Sequence, residues 1–383
     1  MHAMHYLDHN AITPMRPEAK AAVTAALDVF GNPASVHAAG RAARDLLDHA
    51  RAQVATALGA RLPEIVFTSG ATEAAALAIR GVLGAAPAGR EDLVVTSVEH
   101  PCVLGLAESL RAGGRNVTVL PVDGRGVPDL AAAAEAVTPR TALVCAMVAN
   151  NETGVLLPVR ELAALARDRG ALFFTDAVQA VGKVELDVRT LGADLLALTG
   201  QKFGGPRGAG ALWVKSGLRL APLLGGTQER GRRAGTENLP GIAGLGAAIE
   251  AATARREVER RRVGALRDRL EAGLLAAVPG TRVNGSGAPR LPGTLSVTLP
   301  ATDAEALLIA LDLEGICASA GSACHSGSTN PSSVLRAMGL SVAEARSTLR
   351  LSLGWSSDDG DVDAALEAIP RLAARVQAEI PAA

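Results

Sequence analysis

Residues 199–210 read Thr199-Gly200-Gln201-Lys202-Phe203-Gly204-Gly205-Pro206-Arg207-Gly208-Ala209-Gly210, and they follow an apolar run, 195–198. This segment is too rich in glycine and proline to form a helix or an ordinary strand. Lys202 is one of only four lysines in a chain where lysine and arginine together number 38. The use of lysine here favours chemistry that arginine cannot perform, which is loss of a proton and attack on a carbonyl to form a Schiff base. A tight turn with an exposed lysine is the alternative.

Near-continuous apolar strands alternate with helical segments around Lys202, which is typical of a mostly parallel sheet with helices on both faces. The predicted strands are 64–68, 93–96, 117–121, 141–148, 172–175, 195–198 and 211–214. A long helical region that ends near residue 277 leads into a second unit, with strands at 294–299 and 349–353 and helices at 303–313, 332–338 and 361–376. The sequence therefore predicts an α/β fold with a seven-stranded sheet, plus a smaller α+β domain.

Polar residues follow four of the predicted strands, at the carboxyl ends where such sheets bind ligands. They are His100, Asn150-Asn151-Glu152, Asp176 with Gln179, and Thr199-Gly200-Gln201-Lys202. Asp176 would lie at the lip of a buried sheet, where an unpaired charge is costly. A protonated pyridine nitrogen would pair with it, and aspartate on the pyridinium with lysine on the aldehyde is what pyridoxal phosphate requires.

A second signal is the segment Ser69-Gly70-Ala71-Thr72-Glu73, which joins a strand to an alanine-rich helix. The start of a helix presents free backbone N–H groups and the positive end of the helix dipole, so it binds anions such as phosphate. An ordinary capped turn has the same pattern, so the signal gains weight only beside Lys202 and Asp176.

The composition limits the classes of function. The 383 residues are 48% apolar, which predicts a globular protein. Their net charge of −1 argues against a basic surface of the kind that binds nucleic acids or membranes. The N-terminus lacks a basic region followed by an apolar one, and no apolar run reaches the roughly 18 residues of a membrane helix. We therefore expect a cytoplasmic protein without a membrane span.

The four cysteines lack C-x-x-C spacing, which argues against disulfides and structural zinc. Cys145 lies in an apolar run, and Cys102 and Cys317 also suit structural positions. Cys324 differs, because residues 319–328 form a small polar stretch with nothing to bury a thiol. An exposed thiol in such a loop is chemically reactive, so its presence favours a functional role for Cys324.

Two arginine-containing features have ordinary and functional interpretations. The glycine- and arginine-rich segment 225–238 is either solvated surface or a contact with an anion or a second subunit. Arg350 alternates with leucines, so it faces away from them. Its planar fork could bind a substrate carboxylate in a bidentate manner, although a surface arginine is the commoner case.

Taken together, these motifs resemble the cysteine desulfurases of the NifS and IscS kind, which are fold-type I pyridoxal-phosphate enzymes of the class-V aminotransferase family. The resemblance runs from Tyr6 to about Trp355. The matching stretches are 30–35, 67–73, 99–100, 150–154, 176–182, 200–202, 229–236, 322–324 and 350–354. It implies a large cofactor-binding domain at 13–255, and a small domain formed by 1–12 with 256–383 that carries a mobile cysteine loop at about 319–331.

The resemblance also implies a role for each site residue. Lys202 would hold pyridoxal 5'-phosphate, His100 would stack on its ring, and Asp176 would pair with the ring nitrogen, with Gln179 and Asn151 beside the phenolic oxygen. The phosphate would be held by Ala71, Thr72, Thr199, Gln201 and Thr236 of the partner subunit, and Gly200 would also contact the cofactor. Asn32, Asn151 and Arg350 would bind the substrate.

The implied activity is conversion of L-cysteine to L-alanine with the sulfur passed to Cys324 as a persulfide, for delivery to an iron–sulfur scaffold or another acceptor. A homodimer is implied. No intrinsic metal site is expected, and Cys324 would at most be a transient iron–sulfur ligand with a scaffold partner. The catalytic residues would be Cys324, Lys202 and His100.

The sequence departs from the family pattern at three positions, where Gln201, Ile12 and Gln228 replace a usual histidine, threonine and histidine. Gln201 keeps a hydrogen-bond donor for phosphate and loses a titratable group. The alternatives are a selenocysteine lyase or an aminotransferase on the same fold, or a non-catalytic sulfur-trafficking scaffold. A nicotinamide-dependent oxidoreductase is disfavoured because no G-x-G-x-x-G follows an early strand.

Overall fold

The structure, a computed structural model, describes residues 4–320 and 331–379. Its strands are β1 (His5–Tyr6), β2 (Ile65–Thr68), β3 (Asp92–Thr96), β4 (Val117–Leu120), β5 (Thr141–Cys145), β6 (Leu172–Asp176), β7 (Leu195–Thr199), β8 (Gly210–Val214), β9 (Arg282–Val283), β10 (Thr294–Thr298), β11 (Ile316–Cys317) and β12 (Thr348–Ser352). Its helices are α1 (Pro17–Ala26), α2 (Ala38–Leu58), α3 (Ala71–Ala85), α4 (Pro101–Ala112), α5 (Leu130–Ala136), α6 (Val159–Asp168), α7 (Val188–Leu191), α8 (Leu239–Ala277), α9 (Ala304–Leu313), α10 (Ser333–Ala337), α11 (Val342–Arg346) and α12 (Asp359–Glu379).

Strands β2 to β8 form one sheet in the order β2-β8-β7-β6-β5-β3-β4. Strands β7, β6, β5, β3 and β4 are parallel to one another, and β8 runs antiparallel to both of its neighbours, β2 and β7. The predicted α/β fold with a mostly parallel seven-stranded sheet is confirmed. The strand predicted at 141–148 ends earlier, at Cys145, although Ala146 and Val148 still donate backbone hydrogen bonds to residues of β6.

Consecutive side chains along a strand point to opposite faces, and the apolar strands therefore supply two cores. Phe173 packs in the core with helices α2, α6 and α8, whereas Phe174 packs in the core with α3 and α4. Both rings are fully buried. This arrangement explains why the strands read as apolar runs without alternation.

A smaller α+β unit, also as predicted, lies around a third core. Its antiparallel sheet has the order β12-β10-β9, and its apolar side chains pack with α9, α12 and the second half of α8. The N-terminal strand β1 pairs with β11, and Leu7 lies in the same core. These contacts attach residues 5–7 to the smaller unit.

Helix α8 contains the boundary predicted at residue 255. Leu245 and Ile249, before that position, belong to a core of the large sheet, and Leu266 and Leu270, after it, belong to the core of the smaller unit. The two-domain division stays a proposal. Among the described residues, no helix is both long and apolar enough to cross a membrane.

Candidate active site

The carboxyl ends of the parallel strands open into a cavity that is closed on its other side by β12 of the smaller unit. Its walls include these residues that the sequence predicted: Ala71, Thr72, His100, Asn151, Asp176, Gln179, Thr199, Gln201, Lys202 and Arg350. Because the chain contributes them from positions 71 to 350, the fold, and not local sequence, brings them together.

Lys202 ends a short turn, Gly200–Lys202, that follows β7 directly. Its Nζ donates hydrogen bonds to two backbone carbonyl oxygens of the N-terminal segment, Asn10 at 2.8 Å and Ala11 at 2.6 Å. The amino group therefore lies inside the cavity at a fixed place, and the exposed lysine of the alternative interpretation is ruled out.

Asp176 is the last residue of β6, and it is buried at the cavity wall. Burial raises the pKa of its carboxyl to about 6, against the opposing effects of the Val178 backbone N–H and the Lys202 charge. Val178 donates to Oδ1 at 2.8 Å. A cation beside this carboxylate would offset its desolvation cost, as the sequence argument required.

His100 caps α4, and its Nδ1 accepts a hydrogen bond from the backbone N–H of Cys102 at 3.2 Å. Burial lowers the pKa of the imidazole to about 4, and the charge of Lys202 adds to this effect. The ring is therefore neutral at pH 7. A flat neutral ring at the cavity wall suits stacking on another aromatic ring.

The start of α3 forms one end of the cavity, with Ala71 and Thr72 in its first turn and Thr199 and Gln201 nearby. The helix has 15 residues, so its N-terminus carries a full dipole. A Cβ added to Gly210 would lie 2.7 Å from the Cα of Gly70, so glycine is needed for β8 to pass under this turn. This end of the cavity suits a phosphate group.

Arg350 forms the opposite end, and it is only 1% exposed. Its Nη2 donates to Asp8 Oδ1 at 2.7 Å and its Nη1 to the Asn151 carbonyl at 3.2 Å. The Nε of Arg350 and the Oδ1 of Asn151 are buried and have no hydrogen-bond partner among the described residues. The surface interpretation of Arg350 is wrong, because β12 turns its leucines into the core and Arg350 into the cavity.

Comparisons with known proteins agree with this geometry. A family model described as class-V aminotransferase matches residues 5–365. The chain belongs to the class-V aminotransferase family. A cysteine desulfurase from Cereibacter sphaeroides is 47% identical over 98% of this chain and 97% of its own length, and one from Trichormus azollae is 46% identical over 98% and 94%.

Solved structures give the same family assignment. A NifS-like protein superposes with a TM-score of 0.91 at 32% identity, over 97% of this chain and 100% of its own. The X-ray structure of a NifS-like protein from Rickettsia africae ESF-5 has a TM-score of 0.87 at 34% identity, over 97% and 99%. The predicted resemblance to NifS-like cysteine desulfurases is confirmed, and with it the dependence on pyridoxal 5'-phosphate.

The residues of this family member fit that cofactor. A buried carboxylate, a lysine amine, a neutral imidazole and a helix N-terminus line one cavity, which matches the ring nitrogen, aldehyde, ring face and phosphate of the cofactor. The unsatisfied Nε of Arg350 and Oδ1 of Asn151 are polar atoms that a bound ligand would satisfy.

Three of the four cysteines lie in the described residues, and all three are unsuited to act as thiolates. Burial raises the pKa of Cys102 to about 12 and raises those of Cys145 and Cys317. They are thiols at pH 7, although Cys102 lines the cavity. Cys324, the predicted nucleophile, lies outside the described residues. Within these residues, no group of three or more His, Cys, Asp or Glu side chains could hold a metal ion.

Gly200, Asn32 and Thr236 do not line the cavity. Gly200 lies behind it, where an added Cβ would come within 2.9 Å of the Pro206 carbonyl oxygen. Asn32 and Thr236 are exposed on the monomer. Their predicted roles stay predictions.

Sequence reasoning missed the N-terminal segment and Lys183. The Asn10 carbonyl accepts from Lys202, the Asp8 carboxylate pairs with Arg350, and the Nζ of Lys183 bonds to Gln179. A signal existed, because Asp8-His9-Asn10 is a polar cluster directly after the apolar pair Tyr6-Leu7.

Proposed function

We propose that this cavity converts L-cysteine to L-alanine and that Cys324 takes the released sulfur as a persulfide. The observation that carries the proposal is the joint placement of Lys202, Asp176 and Arg350 in one cavity. Lys202 and Asp176 would contact the cofactor, and Arg350 would contact the carboxylate of an amino-acid substrate. The names of the relatives, cysteine desulfurase, support the same substrate.

The cofactor would be held by the residues that match its parts. Asp176 would pair with the ring nitrogen, His100 would cover the ring, and Gln179 would lie beside the phenolic oxygen. The phosphate would take the N–H groups of Ala71 and Thr72, the side chains of Thr199 and Gln201, and Thr236 of the partner subunit. When bound, pyridoxal phosphate supplies an electron sink for the electron pair left by removal of the α-proton.

The chain's own residues would carry out the remaining steps. Arg350, with Asn151 and Asn32, holds the substrate carboxylate and so aims the α-proton at Lys202. The Nζ of Lys202, once neutral and released from the Asn10 and Ala11 carbonyls, moves that proton. His100 stays neutral at pH 7, so its ring adds no competing charge.

Cys324 would remove the sulfur. Its thiolate attacks the substrate sulfur, a sulfur–sulfur bond forms, and the bond between that sulfur and the β-carbon breaks with its electron pair left on carbon. The β-carbon takes up a proton, which gives alanine. The overall change is L-cysteine plus the Cys324 thiol to L-alanine plus the Cys324 persulfide. The acceptor that follows, such as an iron–sulfur scaffold, and a cytoplasmic location remain proposals.

A single-turnover assay tests this function against amino transfer. The loaded enzyme is mixed with one equivalent of L-cysteine, and alanine, keto acid and sulfur on the protein are measured. We expect alanine and protein-bound sulfur in equal amounts, because breaking the carbon–sulfur bond produces both. A sulfur-containing keto acid without alanine would show an aminotransferase, and a colourless protein without turnover would show a non-catalytic scaffold.

A shared site in a homodimer is also proposed. The Glu229 carboxylate forms a buried pair with Arg51 at 2.8 Å and accepts the Phe67 N–H at 3.0 Å, which fixes the segment 225–238 to edge strand β2. This anchoring supports a role in presenting Thr236 outward. Phe30 and Val36, which flank Asn32, are 90% and 89% exposed, as expected of an apolar contact surface without its partner.

We expect light scattering to give twice the chain mass of 38.9 kDa, because the site would be incomplete in a monomer. Replacing Phe30 and Val36 with aspartate should weaken the dimer and the retention of cofactor together, since Thr236 of the partner subunit would leave the phosphate. The same change at Val258, which is 72% exposed on α8, serves as a control. A compact, fully active monomer would contradict the shared site.

A further inference from the structure

Lys183 lies behind the cavity wall, in the run of turns that follows β6. Its Nζ faces two side-chain amide oxygens, Gln179 Oε1 at 2.8 Å and Asn10 Oδ1 at 3.3 Å. None of the predicted roles uses this lysine, yet one of its two partners is the residue expected beside the cofactor's phenolic oxygen.

The contact determines how the Gln179 amide is oriented. In its protonated form Lys183 has donors only, so the group that faces this ammonium is the oxygen of the amide and not its NH₂. The Nε2 of Gln179 then donates one hydrogen to the Asn10 carbonyl, at 2.9 Å. Its second hydrogen is left for a ligand, because Gln179 is buried at the cavity wall.

Asn10 is held in the same manner. Its Oδ1 faces Lys183, and its Nδ2 donates to Thr294 Oγ1 at 2.9 Å and to the Asn151 carbonyl at 3.1 Å. The backbone carbonyl of Asn10 is the one that accepts from the Nζ of Lys202. Lys183 is therefore linked through Asn10 to the amine that would react with the cofactor.

We propose that Lys183 is a positioning residue for the reaction: it turns the remaining N–H of the Gln179 amide toward the bound cofactor and fixes the Asn10 residue whose carbonyl accepts from Lys202. The inference rests on the proposed function, since it needs a cofactor oxygen next to Gln179. Lys183 would set the orientation of this amide without touching substrate or cofactor.

The surroundings make a purely structural lysine here costly. Burial, with smaller contributions from the charges of Lys202 and Arg350, lowers the pKa of Lys183 to about 7. On the side away from the cofactor cavity, Lys183 lines a second cavity together with His9, Arg16, Glu259 and Arg260, and the pKa of His9 is lowered to about 3 by burial and then by Lys183. The Glu259 carboxylate is paired with Arg16, at 2.8 and 2.6 Å, so the amide oxygens of Gln179 and Asn10 are the hydrogen-bond partners that the structure gives to the Lys183 amine.

The test measures the pH midpoint of the visible absorption band of the bound cofactor in the holoenzyme. This band reports the loss of one proton, and the deprotonated form is the more negative one. N–H donors and a nearby cation favour that form, so their loss should raise the midpoint. We expect Lys183→Met to raise it by about one pH unit. Lys215→Met, which removes an exposed lysine paired with Asp194, should leave it unchanged.

The route through Gln179 is tested with a double variant. If Lys183 acts by orienting this amide, Lys183→Met in a Gln179→Leu background should add little to the shift of Gln179→Leu alone. Additive shifts, or an unchanged midpoint in Lys183→Met, would overturn the inference. If Lys183→Met yields no folded protein, Lys183→Gln should give a smaller rise, and an unchanged midpoint there has the same meaning. A wild-type protein that shows no such band overturns the proposed function itself and the inference with it.

Discussion

Lys202→Ala is expected to abolish the visible band of the bound cofactor and the trapping of cofactor by borohydride. The amine of Lys202 lies in the cavity at the end of β7, and alanine offers no group that can attack an aldehyde. Desulfurisation should fall by at least about a thousandfold, because the group that moves the α-proton is lost as well.

The matched control is Lys202→Arg. Arginine keeps the charge and could still donate to the Asn10 and Ala11 carbonyls, but it stays protonated and forms no Schiff base. Loss of the band in both variants would assign the role to amine chemistry and not to charge. A reducible chromophore that persists in Lys202→Ala would contradict the assignment, and peptide mapping should then search Lys183, whose Nζ also bonds to Asn10.

Cys324→Ser is expected to keep the cofactor band while it forms no protein-bound persulfide and releases little sulfide. Serine can occupy the same place, but its hydroxyl stays protonated at pH 7 and does not accept sulfur. Turnover of L-cysteine should fall by at least about a hundredfold, as for loss of a catalytic nucleophile. Mass spectrometry after a pulse of L-cysteine measures the persulfide directly.

The other cysteines provide the controls. Cys102→Ser, Cys145→Ser and Cys317→Ser should retain the persulfide, because the raised pKa of each thiol keeps it protonated at pH 7. Cys145 is fully buried, so its serine variant should lose some stability through an unpaired hydroxyl. Extra sulfur found on Cys102, which lines the cavity, or normal turnover by Cys324→Ser would contradict the proposed mechanism.

Much of the fold could be predicted because burial on both sheet faces leaves long apolar runs in the sequence. Six of the seven strands of the large sheet lie within one or two residues of a predicted strand. At the seventh, predicted at 141–148, the chain stays extended beyond Cys145 without forming a continuous ladder. Alternation of strands and helices then restricts the topology, since parallel neighbours require helical crossovers.

The site could be predicted only where a reactive side chain directly follows a strand in the sequence. Asp176 and Lys202 stand at strand ends, so local sequence locates them at the sheet edge. Asp8 and Asn10 reach the cavity through contacts across more than 190 residues, and no local pattern predicts such pairs. Asn32 and Thr236 stay predictions for a different reason, since one chain does not place them in its own cavity.

Helix α8 limits how proteins of this architecture can exchange parts during evolution. Its 39 residues run about 58 Å without interruption, and side chains from its two halves fill separate cores. A recombination event at residue 255 would join two half-helices whose apolar stripes must keep a common phase. An insertion of one residue there rotates the following stripe by about 100°, and so turns Leu266 and Leu270 away from their core. The two units can therefore diverge in sequence, but they can be swapped between relatives only when the length of this helix is preserved.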